Sequence, residues 1–393
     1  MPEKELDVKQ MRKYRKQLFV DALNKNTKPE RIPLASNAWT WKICDAGMKL
    51  SEALHDYDKL FYVVCRHHEK YGFDMYMDLG TRNPLSFIDS LGKNIYRLDD
   101  EKNQLSYCFD YPMEENDYPE LLQKGVRRYF TEDVLPKKYG WKSRQEYMQH
   151  IAAGLEAYLE LERYADRIRS KMTGEYGVCR TCLKKPVLPI EVLMTSLRGV
   201  RGIAVDFCRN KNYLDDALAL IYKAYYSTVE EGIANRKDAE DCYFLFRLTT
   251  MSHNLMNPKQ FERYSWPYIN DIAQKVSSMG ERMLIFAEGS MKHLLDYFKE
   301  LPENSICLYS EMDEIRLLKK ELPNLTVAGG YPVRYLAEGD LGECIDEAKR
   351  LIDDVGYDGN YIFGCNKMLS YPDDALGENM LAVNEFLKEY AVF

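Results

Sequence analysis

Features that would place the chain in a membrane or a secretory pathway are missing from its sequence. No apolar run approaches the ~20 residues that a membrane-spanning helix needs. Residues 1–16, MPEKELDVKQMRKYRK, contain no apolar stretch typical of a signal peptide. Ten cysteines in a chain without such a signal are typical of reduced thiols. The sequence therefore predicts a cytoplasmic protein.

Positive charge is in deficit. The 54 Lys and Arg residues are outnumbered by 62 Asp and Glu, for a net charge of −8. The densest basic stretch, Lys9 to Lys16, is typical of the solvated face of a helix, so we expect no nucleic-acid partner. No G-x-G-x-x-G follows an early strand, which disfavours a dinucleotide-binding sheet. The composition, 46% hydrophobic and 30% charged over 393 residues, is typical of a globular protein with a substantial core.

Strand and helix patterns alternate over the C-terminal third of the chain. Each of several short, uniformly apolar strands is followed by a helical pattern, and these strands are predicted at 283–286, 305–309, 325–329 and 360–364. Strands without alternation are buried on both faces, as in a parallel sheet covered by helices. The element order predicts a (β/α)8 barrel with helical insertions, and an open doubly wound sheet is the alternative. We place an N-terminal helical extension at 1–29 and a single barrel domain at 30–393.

Polar residues follow several predicted strands. The carboxyl ends of barrel strands surround one mouth, so residues far apart in sequence converge there. Glu288 follows one strand and Cys365 ends another, and we predict both as catalytic residues. Further residues occupy equivalent positions: Asp78, His253, Glu311 and Tyr331.

The strand ends also suggest a metal site. A carboxylate, a thiolate and an imidazole around one point are suitable zinc ligands. Glu288, Cys365 and His253 are therefore the predicted metal ligands, with a vacant position where zinc would polarise a substrate heteroatom. The alternative interpretation is that Glu288 caps the following helix and that the other polar residues only line the mouth.

A set of segments resembles a known family by order and spacing. The segments are PERIPL (29–34), SLRGVRGIAVDF (196–207), NPKQFERYSWPYI (257–269), MLIFAEGSMKHLLDYF (283–298), TVAGGYPVRYLAEGD (326–340) and IFGCNKMLSYPDDALGENM (362–380). They are similar to the uroporphyrinogen decarboxylase superfamily, and most similar to its corrinoid-linked methyltransferase and O-demethylase branch.

The resemblance implies a (β/α)8 barrel and a zinc enzyme. Members of that branch move a methyl group between a small methylated compound and a corrinoid carried by a partner protein. The resemblance places zinc on a His-x-Cys or His-x-Glu pair at one strand end and a Cys on a late strand. Glu288 and Cys365 match the second and third ligands, but Phe286 stands at the first position and cannot bind zinc. His253 or Glu311 would have to complete the site.

The decarboxylase branch fits the sequence less well. Its R-Q-A-G-R signature beside the first strand supplies arginines that pair with substrate carboxylates. The corresponding segment, ASNAWTWKICDAG at 35–47, has no arginine, and Trp39 predicts a smaller or more aromatic substrate. Asp78, Arg198 and Tyr331 are the other predicted substrate-binding residues, although Arg198 is equally suited to an ion pair within the fold.

Three functions therefore remain open. The first is a zinc-dependent methyltransferase acting with a corrinoid protein; the second is a decarboxylase acting on a tetrapyrrole. The third is a metal-free binding protein on the same fold, favoured by Phe286. Cys179 and Cys182 form a C-x-x-C without a second pair, which we interpret as coincidence in preference to a metal or redox site. A homodimer is compatible with each of these functions.

Overall fold

The strands of the chain form one parallel barrel and one separate hairpin. The computed structural model describes residues 6–82, 85–93, 95–108 and 110–393. Its strands are β1 (Ala35–Ser36), β2 (Met75–Tyr76), β3 (Tyr96–Asp99), β4 (Gln104–Tyr107), β5 (Arg180–Lys184), β6 (Cys242–Thr250), β7 (Met283–Ala287), β8 (Ile306–Ser310), β9 (Thr326–Tyr331) and β10 (Tyr361–Cys365). Strands β3 and β4 pair antiparallel, and every other strand pair is parallel.

The parallel strands close on themselves. One sheet has the order β10-β9-β8-β7-β6-β5, and β1 pairs with β2. At the seam between β10 and β1, Leu34 and Phe363 form a parallel bridge, and the Phe363 N–H donates to the Pro33 carbonyl at 2.9 Å. At the seam between β2 and β5, the Thr181 hydroxyl donates to the Tyr76 carbonyl at 2.5 Å. The strands therefore form a (β/α)8 barrel, which confirms the predicted fold.

Helices surround the barrel and extend the chain before and within it. They are α1 (Val8–Leu23), α2 (Trp41–Asp45), α3 (Leu50–Leu54), α4 (Tyr57–Tyr71), α5 (Leu85–Ser90), α6 (Tyr118–Lys124), α7 (Val126–Tyr129), α8 (Leu135–Tyr139), α9 (Arg144–Gly174), α10 (Pro189–Val192), α11 (Gly199–Arg209), α12 (Lys211–Ala234), α13 (Pro258–Tyr264), α14 (Trp266–Ser278), α15 (Leu295–Phe298), α16 (Ile315–Glu321), α17 (Val333–Glu338), α18 (Leu341–Leu351) and α19 (Gly377–Tyr390). None of the helices in the described ranges is long and apolar enough to cross a membrane.

Most predicted elements of the C-terminal third are confirmed. All four apolar strands are present as β7 to β10, with boundaries shifted by one or two residues. The strand β5 and the β3–β4 hairpin were not predicted. Strand β5 (RTCLK) is polar and half-buried, so it lacks the apolar run that identified its neighbours.

Two cores pack against opposite faces of the barrel wall. The inner core contains inward-facing side chains such as Leu284, Phe286 and Tyr309, whereas Ile285 and Leu308 belong to the outer core beneath the helices. Side chains of a strand alternate between its two faces, so a residue next to an inward-facing one on the same strand faces the helices.

Helix α1 closes the bottom of the barrel. Asp7 caps its first turn, accepting from the Gln10 N–H at 2.8 Å. Its buried Phe19 lies in the inner core, with its ring 4.0 Å from that of Tyr243. Residues 1–5 of the predicted 1–29 extension lie outside the described residues, and the division of the chain at residue 30 stays a prediction.

The longest excursion from the barrel runs between β2 and β5, and it contains the hairpin and helices α5 to α9. The Tyr164 hydroxyl of α9 donates to the Leu79 carbonyl just after β2, at 2.7 Å. This contact ties the excursion to the mouth end of the barrel.

Candidate functional site

Side chains from separate strands converge at the carboxyl end of the barrel. They come from the ends of β1, β2, β7 and β8 and from within β6, and they are Trp39, Asp78, Glu288, Glu311 and Arg247. Parallel strands all end at the same mouth, which brings these distant residues together. Of this group, Arg247 was not predicted.

Arg247 lies inside the barrel and is 7% exposed. It is paired in register with Leu284 of the inner core, so its side chain faces inward. Its guanidinium carbon lies 5.4 Å from the centre of the Phe286 ring and 5.8 Å from that of Trp39. Nη1 donates to the Met77 carbonyl at 2.8 Å, while Nε is buried without a hydrogen-bond partner. Burial lowers the pKa of this guanidinium.

Arg82 lies above Arg247 at the rim. Its guanidinium carbon stacks 4.1 Å from the centre of the Trp39 ring. One of its nitrogens lies 3.9 Å from Glu288, and another lies 2.8 Å from the sulfur of Met368. Because its side chain is about one-third exposed, Arg82 covers the mouth without sealing it.

Glu288 and Glu311 are carboxylates at the ends of neighbouring strands. Each stands two residues beyond an inward-facing aromatic residue, Phe286 or Tyr309, so both side chains face the mouth. Glu311 accepts from the Met368 N–H at 2.9 Å. Burial, and then the charge of Glu288, raise the pKa of Glu311 to about 7. Glu311 can therefore give or take a proton near neutral pH.

Trp39 and Asp78 lie where the sequence predicts them, at the mouth. The Trp39 ring nitrogen donates to Asn37 at 2.9 Å. Asp78 is buried and pairs with the Lys42 ammonium at 2.8 Å. Burial opposes its charge, but Lys42 outweighs this effect and lowers the pKa of Asp78. This ion pair satisfies both partners, and the substrate-binding role of Trp39 and Asp78 stays a prediction.

The structure corrects the placement of Cys365. Inward-facing Ile362 and β-strand alternation put Cys365 on the outer face of β10. There it lines a closed space with Phe363 and Met380 of α19, away from the mouth. Burial raises the pKa of its thiol to about 12. A protonated thiol on the far side of the barrel wall cannot share an ion with Glu288.

His253 also fails to complete a metal site. It is fully buried, its Nδ1 lies 3.2 Å from the Thr250 hydroxyl, and burial lowers its pKa to about 4. Across the described ranges, no group of three or more His, Cys, Asp or Glu side chains is arranged to hold a metal ion. Phe286 fills the expected first ligand position with a buried ring. The residues present therefore do not fit the zinc that the resemblance implies.

Two predicted substrate-binding residues serve the fold instead. Arg198 forms a bidentate ion pair with buried Asp206, at 2.8 and 2.9 Å. Tyr331 faces the outer core, where its hydroxyl donates to the Cys344 carbonyl at 2.9 Å. Arg198 contacts residues outside the barrel wall, namely Asp206, the Met113 carbonyl and the Tyr118 ring, and Tyr331 lies between the sheet and α18.

The C-x-x-C pair lies in and beside β5. All ten cysteines are free, and Cys179 and Cys182 are both buried. Burial raises the pKa of the Cys179 thiol to about 12 and also raises that of Cys182. Neither thiol is suited to redox chemistry, which requires an accessible thiolate.

Comparison with known proteins agrees with the fold. Residues 195–388 match the family described as uroporphyrinogen decarboxylase (URO-D). A methyltransferase from Methanosarcina mazei superposes with a TM-score of 0.60 at 15% identity, covering 98% of this chain and 99% of that chain, and this similarity shows the fold. Dispersin B, with a TM-score of 0.33 at 11% identity over 91% of this chain and 98% of its own, supports no argument. No curated protein matches the sequence. The match places residues 195–388 in the uroporphyrinogen decarboxylase family, and the barrel agrees with the resemblance of the other segments to it.

Proposed function

We propose that the chain is a methyltransferase that removes a methyl group from a small molecule bound at the barrel mouth, with Glu311 as proton donor. The observation that carries this proposal is the paired carboxylates at the mouth, Glu288 and Glu311, with the pKa of Glu311 raised to about 7. The methyltransferase from Methanosarcina mazei, which has the same fold, supports the choice of reaction.

Glu311 would act on the atom that the methyl group leaves. When the carbon–heteroatom bond breaks, its electron pair stays on the heteroatom, which becomes a poor leaving group unless it gains a proton. Protonated Glu311 supplies that proton and becomes a carboxylate, which solvent then reprotonates. The methyl group passes to an acceptor that contributes its own electron pair. A corrinoid carried by a partner protein would supply that electron pair.

The proposal uses no metal. Without His253 and Cys365 at the mouth, the predicted zinc ligands are reduced to Glu288, and one carboxylate does not hold zinc. General-acid catalysis by Glu311 replaces the polarisation that zinc would provide.

The rim supports access by a partner. Met312, directly after Glu311, is 75% exposed, and Tyr371 and Leu376 beyond β10 are also exposed. A partner protein that covers the mouth would bury these apolar side chains. We therefore propose a partner protein as the carrier of the methyl acceptor.

The mouth does not favour a tetrapyrrole. Such a substrate carries several carboxylates and needs several free cations. Lys42, the cation of segment 35–47, is buried and engaged with Asp78, which leaves only Arg82 and Arg247 among the described cations of the mouth. We therefore prefer methyl transfer to decarboxylation of a tetrapyrrole, and the experiment below distinguishes the two reactions.

The test measures methyl transfer from small methylated compounds to free reduced cobalamin, followed by its absorbance. We expect turnover by the wild-type protein and a loss of about a hundredfold or more in Glu311→Gln, since general acids contribute about that factor. Glu300→Gln, at an exposed glutamate outside the mouth, is the matched control and keeps full activity. Turnover unchanged in Glu311→Gln refutes the mechanism. Release of carbon dioxide from a porphyrinogen, or ligand binding without any turnover, favours the decarboxylase or the binding protein instead.

A further inference from the structure

The cationic side chains that are buried in this structure differ in how their charge is neutralised. Arg31 forms a two-bond pair with Asp74 at 2.7 and 2.8 Å, and Arg198 does the same with Asp206. Lys42 pairs with Asp78. In contrast, no carboxylate in the described part of the chain forms an ion pair with Arg247.

The two nearest acids are committed elsewhere. Asp78 is held by Lys42 and by the Gly80 N–H, at 2.8 and 2.9 Å. Glu288 lies closest to Arg82, at 3.9 Å. Both acids act on the Arg247 charge electrostatically, but neither occupies its donors. A buried guanidinium with an unpaired Nε is unfavourable, because it loses water without gaining a counter-ion.

The free edge of Arg247 has a definite shape. Nη1 is used by the Met77 carbonyl, which leaves the edge formed by Nε and Nη2. Two parallel N–H groups along such an edge match two oxygens of one oxyanion. This edge lies at the level of the Phe286 ring. Phe286 is two residues before Glu288, so the edge lies about 7 Å below Glu288, measured along β7.

We infer that Arg247 binds the oxyanion of the substrate, so that the substrate is a small molecule with a carboxylate or a similar oxyanion at one end and its methyl group at the other. The oxyanion lies on Arg247 at the floor of the mouth. The methylated heteroatom then lies higher, beside Glu311. Arg82 stacks on Trp39 above the ligand and adds a second positive charge. This inference rests on the proposed function for the position of the methyl group, but not for the binding of the oxyanion.

The test is thermal unfolding of the full chain with added sodium methoxyacetate, sodium methanesulfonate or sodium phosphate, with sodium chloride keeping the ionic strength constant. We expect at least one of these anions to raise the Tm of the wild-type protein, and the three salts separate a carboxylate from sulfonate and phosphate. In Arg247→Met the anion-dependent rise disappears, while the Tm without anion is unchanged or higher, because no ion pair is lost. Arg247→Lys keeps the positive charge but loses the two parallel N–H donors of the guanidinium, so it binds the anion about tenfold or more weakly.

Arg198→Met is the matched control for removal of a buried arginine. It lowers the Tm, because Asp206 loses its counter-ion, but it keeps the anion-dependent rise. A rise in Arg247→Met equal to that of wild type, or no rise in the wild type with any of the three anions, overturns the inference. The unfolding assay contains no methyl acceptor, so it tests anion binding separately from methyl transfer. If the anion binds but no methyl transfer is found, only the proposed function is refuted. If methyl transfer occurs but does not depend on Arg247, only this inference is refuted.

Discussion

Asp74 joins three parts of the barrel and gives a sharp test of the fold's energetics. Its carboxylate pairs with Arg31, lies 3.3 Å from Arg15 of α1, and accepts from the Leu34 N–H at 2.8 Å. The side chain is fully buried beside the seam that carries β1 and β2. Asp74→Asn keeps the shape of the side chain but leaves two buried arginines without their counter-charge.

The size of the effect follows from the pKa of Asp74. Burial alone would raise it, but Arg31 and then Arg15 lower it to about 2, from an ordinary value of 3.8. Each pKa unit corresponds to about 1.36 kcal/mol, so the shift represents roughly 2.5 kcal/mol of folding free energy. Loss of one partner from a buried ion pair costs about 3–5 kcal/mol. We expect Asp74→Asn to lose about 3 kcal/mol near neutral pH.

The pH dependence has a definite sign. The folded pKa is depressed, so the wild-type stabilisation is complete above pH about 4 and is lost as the pH falls towards about 2. Asp74→Asn lacks this stabilisation at every pH, so the difference in unfolding free energy between wild type and variant becomes smaller in acid.

The measurement is urea-induced unfolding followed by circular dichroism, for wild type and Asp74→Asn near neutral pH and in acid. The control is Asp89→Asn, because Asp89 pairs with His55 at the exposed surface and such pairs contribute less than about 1 kcal/mol. A loss below about 1 kcal/mol in Asp74→Asn at neutral pH, or a difference that does not shrink in acid, refutes this reasoning.

Other predictions concern the site. In the proposed mechanism Glu311 acts in its protonated form, and its pKa is about 7, so the rate of the proposed methyl transfer falls as the pH rises through about 7. A pH–rate profile without this fall contradicts the role of Glu311. Cys365→Ser keeps methyl transfer within about twofold, because the thiol faces the outer core, whereas a loss above about tenfold would restore Cys365 to the site. Arg198→Met loses about 3–5 kcal/mol of stability in urea, since Asp206 is left buried without a counter-ion, and a loss near zero would contradict the ion pair.

Local sequence patterns determined the elements of the barrel. The C-terminal strands β7 to β10 are present where the apolar runs predict them. These patterns are readable from the chain because both faces of a parallel strand are buried, so the whole run is apolar. The same patterns located Glu288 and Glu311 at strand ends, hence at the mouth.

Tertiary structure alone decided which of the predicted residues act together. A uniformly apolar strand shows no alternation of polar and apolar residues, so its sequence does not reveal which side chains face inward. The sequence of β10 therefore did not show that Cys365 faces outward, nor that of β7 that Glu288 faces the mouth. The charge of Arg247 within CYFLFRL was visible in the sequence, but its missing counter-ion is a property of every strand around it. Whether a buried charge is neutralised depends on neighbours that only the closed barrel brings together.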